Sequence, residues 1–371
     1  MIAVKILLRV LAGLAALVVL GVVLIAGTSG YYGGADGRGC ARCHEIRPMV
    51  ETWAASSHRN VKCQDCHGSS FTADLRMHAK NWSRVWLHSR GESPEQIHIR
   101  HTDVAPLVER CASCHRQEHA DWQSGPHGST YAALFTSREH NTNQQLMDDC
   151  LRCHGMHFEG GIRDLVTPLD RKGPWTLVEQ ATAGMSAVPC LACHSVHRLG
   201  EPLPPRSERE EVTGPAQAIA RPSLALYDRR ALEHVGLDQL PMPQMREGDR
   251  LVKGSPDRRQ ALCYQCHAPR AGMQVFSGDD RTPVGVHEGL SCLACHQKHG
   301  QTTRASCAAC HPRLSNCGID VETMDTTFKS PQSPHDIHRV ACLDCHPRGV
   351  PTRKAAASSG GTPSRGRGGA R

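Results

Sequence analysis

Aromatic residues are scarce: five each of Phe, Trp and Tyr, together 4% of 371 residues. Only 39% of the chain is hydrophobic, too little to close an interior of this size with side chains alone. That argues against an ordinary cytosolic enzyme and calls for something other than side chains to fill the interior. Two residue types run the other way, with 19 Cys and 24 His, so the composition points to a disulfide scaffold, a metal protein or a cofactor protein.

Acidic residues are absent before Asp36, and Val10 to Ala26 is an unbroken run of 17 apolar or glycine residues. The run is longer than the core of a typical signal peptide and reads as one transmembrane helix. Lys5 and Arg9 precede it, and Tyr31 and Tyr32 follow at interfacial depth, which places the N-terminus in the cytoplasm and the rest of the chain in the periplasm. The alternative is a cleaved signal, against which stands the large Leu24 three residues before a cut after Ala26.

Eighteen of the cysteines fall into nine C-x-x-C-H triplets: Cys40/Cys43/His44, Cys63/Cys66/His67, Cys111/Cys114/His115, Cys150/Cys153/His154, Cys190/Cys193/His194, Cys263/Cys266/His267, Cys292/Cys295/His296, Cys307/Cys310/His311 and Cys342/Cys345/His346. Random scattering at these frequencies yields about 0.06 copies. Two thiols one turn apart can add to the two vinyl groups of one haem, and the adjacent His is then carried under the iron. Structural zinc or disulfides would leave the nine histidines unexplained. The expectation is nine covalently attached c-type haems, one per about 41 residues, whose porphyrins supply the missing apolar interior. Each ferric haem with two propionates brings one net negative charge, so the chain charge of +7 becomes about −2 in the oxidised holo-protein. The basic composition is therefore no sign of nucleic acid. Cys317 is left without a partner cysteine and is expected to be an inert buried thiol.

Fifteen histidines lie outside the triplets, enough for nine distal ligands, and bis-His ligation suits electron transfer better than catalysis. His157, His197 and His299 each follow a triplet His by three residues, too close to cross to the other face of the same haem, so each should reach a neighbouring one. His58 and His127 share a repeat, each five residues after a Trp (Trp53, Trp122), and are expected to be distal ligands. His287 and the pair His335/His338 precede the seventh and ninth triplets; His287 and His338 complete the expected set. For His78, His88, His98, His101, His119, His140 and His234, a surface or propionate-bonding role weighs as much as ligation.

The expected fold is mainly α with much irregular coil, a multihaem cytochrome c organised around nine stacked haems with a single N-terminal transmembrane helix. Its expected parts are an anchor (1–30), a four-haem module (31–160), a fifth-haem segment (161–200), a Pro-rich connection (201–262), a four-haem C-terminal module (263–350) and a disordered basic tail (351–371). Within the connection a short helix is expected from Ser223 to Val235, stopped by Gly236. Leu75, Trp82, Val85 and Trp86 recur at helical spacing opposite Arg76, Lys80 and Arg84, an amphipathic helix that can lie at headgroup level or pack on haem.

The stretch C-A-R-C-H-E-I-R-P-M-V-E-T-W-A-A-S-S-H followed by V-K-C-Q-D-C-H, directly after one apolar anchor, resembles the NapC/NirT family of membrane-bound tetrahaem quinol dehydrogenases. The resemblance extends to His157 and implies that Cys40/Cys43/His44 carries a quinol-facing haem, that His58 is a distal ligand, and that Lys80 lies in the helix contributing to a quinol pocket. Members with a methionine two residues after the first triplet use it at the first haem; here Ile46 stands there, and Met49 is the nearest substitute. The later C-L-A-C-H-x-x-H motifs look like those of periplasmic multihaem conduits. Taken together, the expected function is electron transfer from the quinol pool of the inner membrane to a periplasmic or outer-membrane redox protein, with quinol dehydrogenase activity an open question. The competing function is a reductase of small nitrogen or sulfur oxyanions with one open haem, against which stands the absence of any C-x-x-C-K triplet.

Overall fold

A computed structural model describes residues 2–34, 39–68, 71–93, 97–197, 223–267, 281–300 and 337–345. About half of this is helical, and the sheet is confined to four two-stranded pieces. Helix α1 (Ile2–Gly34) carries the apolar run, and its 27-residue stretch Ile2–Thr28 contains no buried residue. At about 1.5 Å rise per residue it exceeds the roughly 30 Å of a bilayer core. Length and composition thus satisfy the requirement for crossing a membrane, which an N-terminal export signal also satisfies.

Beyond α1 come α2 (Arg47–Ala54), α3 (Cys63–His67) and α4 (Phe71–Ser89), then α5 (His101–Cys114) and α6 (Arg116–Ser124). Helix α4 contains the amphipathic stretch, and it packs against both α1 and α3. Its Trp82, Val85 and Trp86 stay 67%, 55% and 65% exposed, so that face is not used in packing within the described chain. On α5, Val104 and Val108 lie one turn apart and are buried against Trp122 of α6. The Trp122 indole donates to the Val188 carbonyl at 2.9 Å, tying α6 to the segment before the fifth triplet.

The largest side-chain core lies between residues 131 and 187, where Tyr131, Phe135, Phe158 and Trp175 enclose Leu146, Leu151, Ile162, Leu165 and Leu177. Tyr131 meets Phe135 and Phe158 edge-to-face at 5.8 and 6.2 Å, the arrangement that aromatic quadrupoles favour. Gly155, directly after His154, sits at φ +89 with the Tyr131 ring 3.4 Å from where a Cβ would stand, so the chain can turn back onto this core only with glycine there.

The region expected to be a helix from Ser223 to Val235 is instead a hairpin. Strands β3 (Ala225–Asp228) and β4 (Glu233–Gly236), the third and fourth along the chain, pair antiparallel, Tyr227 opposite His234. Burial alternates along β3, with Ala225 and Tyr227 inside, and this period of two wins over the weak helical pattern. Ser195 N–H donates to the Ser223 carbonyl and Ala225 N–H to the Cys193 carbonyl, at 2.8 and 3.1 Å, so the hairpin forms where the fifth triplet offers backbone partners. Gly236 faces Ala225 across this ladder and caps no helix.

Strands β7 (Val284–Gly285) and β8 (Arg339–Val340) pair in parallel, and the Val284 N–H donates to the His338 carbonyl at 2.6 Å. This fixes His338 beside the seventh triplet. Gly285 has φ +80, and a Cβ on it would collide with the Val340 carbonyl oxygen. Gly285→Ala is expected to destabilise by about 1–3 kcal/mol, read as a lower denaturant midpoint; an unchanged midpoint would contradict the pairing.

Candidate haem sites

Most described triplets are folded by the same local device. In five of them the His N–H donates to the carbonyl of the first cysteine, as in His115 to Cys111 and His296 to Cys292, both at 2.8 Å. One helical turn thereby gathers the two thiols and sends the imidazole onward, the shape a haem needs to be held at its two vinyl carbons and its iron. No disulfide joins the described cysteines.

The second cysteines differ in their setting. Cys43 and Cys114 are exposed, whereas Cys295 of the seventh triplet is half-buried, and its N–H donates to the Cys292 carbonyl at 3.2 Å. The two thiols of that triplet therefore sit on one tight turn, as attachment requires. The ninth triplet is shown only in part. Cys342 and Cys345 occupy the two ends of the short helix Cys342–Cys345, where Cys342 is exposed. The expected attachment through Cys345 rests on its place in this helix, because its side chain lies outside the described residues.

The imidazoles then meet in pairs. His58 faces His115 with ring centres 6.1 Å apart, His67 faces His197 at 6.2 Å, His127 faces His267 at 6.1 Å, His194 faces His299 at 6.0 Å and His296 faces His338 at 6.1 Å. Every pair joins one triplet His to one His outside the triplets. Two imidazoles bound on opposite faces of one metal, with about 2 Å bonds and roughly 1.1 Å from nitrogen to ring centre, stand about 6.2 Å apart. The gaps therefore fit an iron, and the flanking thiols fit the covalent attachment of its porphyrin. Burial lowers the pKa of His58, His67, His127, His197, His296 and His299, and pushes His194 down to about 4. That keeps each ring neutral, which is the ligating form.

The first cysteines of different triplets also touch. Cys40 lies beside Cys63, Cys111 beside Cys190, and Cys263 beside Cys292, while the second cysteine of the fourth triplet, Cys153, lies beside Cys266 of the sixth. Cys66 lies near Cys111, and Cys193 near Cys263. Among the described triplets, neighbours in space thus follow the order one, two, three, five, six, seven, with the fourth beside the sixth.

Other expected site residues fall elsewhere. His157 is 4% exposed and stacks on Tyr227 at 3.9 Å. Burial and the neighbouring His234 push its pKa down to about 3, and no ring contact sets it opposite a described triplet His. His287 is oriented by Nδ1, which donates to the Ile337 carbonyl at 3.1 Å. Met49 offers its carbonyl to His197 Nδ1 at 3.0 Å, a bond that orients the ring facing His67. Lys80 is engaged with Asp103 of α5 at 2.6 and 2.5 Å. Triplet residues Cys307, Cys310, His311 and His346, together with His335 and Cys317, lie outside the described residues. Two clusters that sequence spacing did not single out are His44 with Glu45 and His88, and Tyr227 with His234; neither follows a repeat or fixed offset.

If His58 completes the iron site at His115, His58→Ala converts one low-spin haem to high-spin while haem content stays constant. Electron paramagnetic resonance of the oxidised protein reads this directly, and an unaltered low-spin signal would remove His58 from the site.

Residues 110–195 match the family model described as "Cytochrome c554 and c-prime". The match begins one residue before Cys111 and ends one residue after His194, so it spans the third, fourth and fifth triplets and the aromatic core between them. No curated protein and no solved structure matches the chain. Over that segment the chain is similar to multihaem c-type cytochromes, which supports covalently bound haem c and a role as an electron carrier.

Proposed function

We propose that this chain is a membrane-anchored nonahaem cytochrome that carries electrons from membrane quinol toward a redox protein on the far side of the membrane. The observation that carries the reading is the set of five imidazole pairs with ring centres 6.0 to 6.2 Å apart, a spacing that suits an iron between the rings of each pair. Bound haem would supply the one-electron iron centre; the chain supplies its ligands, their orientation and its exclusion of water. Two strong-field imidazoles leave the iron no open position for a small substrate, so this arrangement favours relay over catalysis.

The relay follows from which triplets touch. Porphyrins attached to neighbouring cysteines of successive triplets would lie close to one another, and the order one, two, three, five, six, seven would give electrons a continuous path. The fourth site, with Cys153 beside Cys266, would join that path at the sixth.

Quinol enters the reading at the other end. Helix α1 is long enough to span the bilayer, and α4 packs on it with Trp82, Val85 and Trp86 exposed. Tryptophans on one face and Arg or Lys on the other suit the headgroup layer. The first triplet then lies next to the membrane, as the resemblance of residues 40–67 to NapC/NirT proteins implies for a quinol-facing haem. Deleting residues 1–30 should abolish reduction of the haems by a quinol analogue and leave reduction by dithionite intact. Unchanged quinol kinetics would contradict the anchor and its donor.

A further inference from the structure

The first triplet differs from the five paired ones. Its His44 faces no histidine from a repeat, and the methionine expected as substitute, Met49, has its backbone committed to His197. What stands against His44 is His88, from the last turn of α4, with ring centres 5.2 Å apart. Glu45 lies between them: its Oε1 is 2.9 Å from His88 Nδ1 and 3.3 Å from His44 Nε2. The three groups form a cluster in which all ligand atoms lie within 4.8 Å of one another.

We propose that His88 is the distal ligand of the first haem and that Glu45 is its carboxylate partner. The proposal rests on the reading that the first triplet carries a haem. Three features support it beyond proximity. The pair has the composition of the other five, one triplet His and one from outside. The imidazoles cross at 62°, close to the 69° of His58 and His115, so the angle is one the chain already uses. Glu45 holds His88 by Nδ1, which leaves Nε2 as the nitrogen directed to metal, the usual division of labour in a carboxylate–histidine–metal arrangement.

The gap is about 1 Å short of an iron-spanning distance. The side chains of His44 and His88 are 71% and 56% exposed, so both rings can move apart when a porphyrin slides between them. Glu45 then keeps its bond to His88 and gives up its approach to His44 Nε2, which turns to the iron. A carboxylate on the ligand imidazole raises its basicity and stabilises the ferric state. The first haem would thus be six-coordinate and of low potential, and a donor would pass electrons to its porphyrin edge without reaching the iron. It also gives α4 a second role: the helix that exposes Trp82 and Trp86 also closes the nearest haem.

The test uses full-length holo-protein in detergent, with haem content checked by intact mass. His88→Gly is expected to convert one low-spin haem to high-spin at unchanged haem number, and added imidazole should restore the low-spin signal. His88→Met should keep that haem low-spin and add a thioether–iron charge-transfer band. Glu45→Gln should raise the midpoint potential of one haem and create no high-spin signal. Met49→Leu should leave the spectrum unaltered. A spectrum unaffected by His88→Gly, or a high-spin haem produced by Met49→Leu, would overturn the assignment. A wild-type mass short by one haem, with Cys40 and Cys43 unmodified, would instead overturn the reading of the first triplet itself.

Discussion

Five pairs of imidazoles, brought face to face at 6.0 to 6.2 Å from segments distant in sequence, are the constraint on which the rest of the structure depends. The facing rings are far apart in sequence: His67 and His197 are separated by 130 residues, His127 and His267 by 140, and His194 and His299 by 105. Bringing such segments together costs loop-closure entropy, and the small hydrophobic content could not offset that alone. A metal bond that closes a long loop contributes folding free energy directly. An iron bound between such rings, as proposed above, would therefore act as a cross-link as well as a redox centre, and the bonds that hold the fold would also bring the sites close together.

The side chains are distributed accordingly. Four of the aromatic residues, Tyr131, Phe135, Phe158 and Trp175, are concentrated in one core between residues 131 and 187, which contains the fourth triplet and ends just before the fifth. Elsewhere the described clusters are small, such as Val104 with Val108 and Trp122, or Leu237 with Leu240 and Ala261. Where side chains are few, the triplets themselves meet, through Cys40 and Cys63 or through Cys263 and Cys292. The family match to residues 110–195 coincides with the part of the chain that has both a conventional core and haem-attachment motifs.

What could be read from the sequence was whatever is local. A C-x-x-C-H triplet folds by one backbone hydrogen bond from its His to its first cysteine, so five residues suffice to identify it. The apolar periodicity of α4 and the uninterrupted run of α1 are likewise properties of a single segment. The spacing argument that His197 and His299 must leave their own triplets agrees with where their rings lie, opposite His67 and His194. The identity of those partners was not legible, because it depends on the third dimension. The same holds for the β3–β4 hairpin, whose strands form against the backbone of Cys193 and Ser195. His88 was in the sequence one of seven histidines for which a surface role weighed as much as ligation, and what sets it apart is the fold of α4 back toward Glu45.

The most direct test of this account is to locate the irons in the mature protein by anomalous X-ray diffraction at the iron edge. The account predicts one iron between each of His58 and His115, His67 and His197, His127 and His267, His194 and His299, and His296 and His338. An iron bonded to His67 whose opposite face is closed by a residue other than His197, or left to solvent, would contradict it.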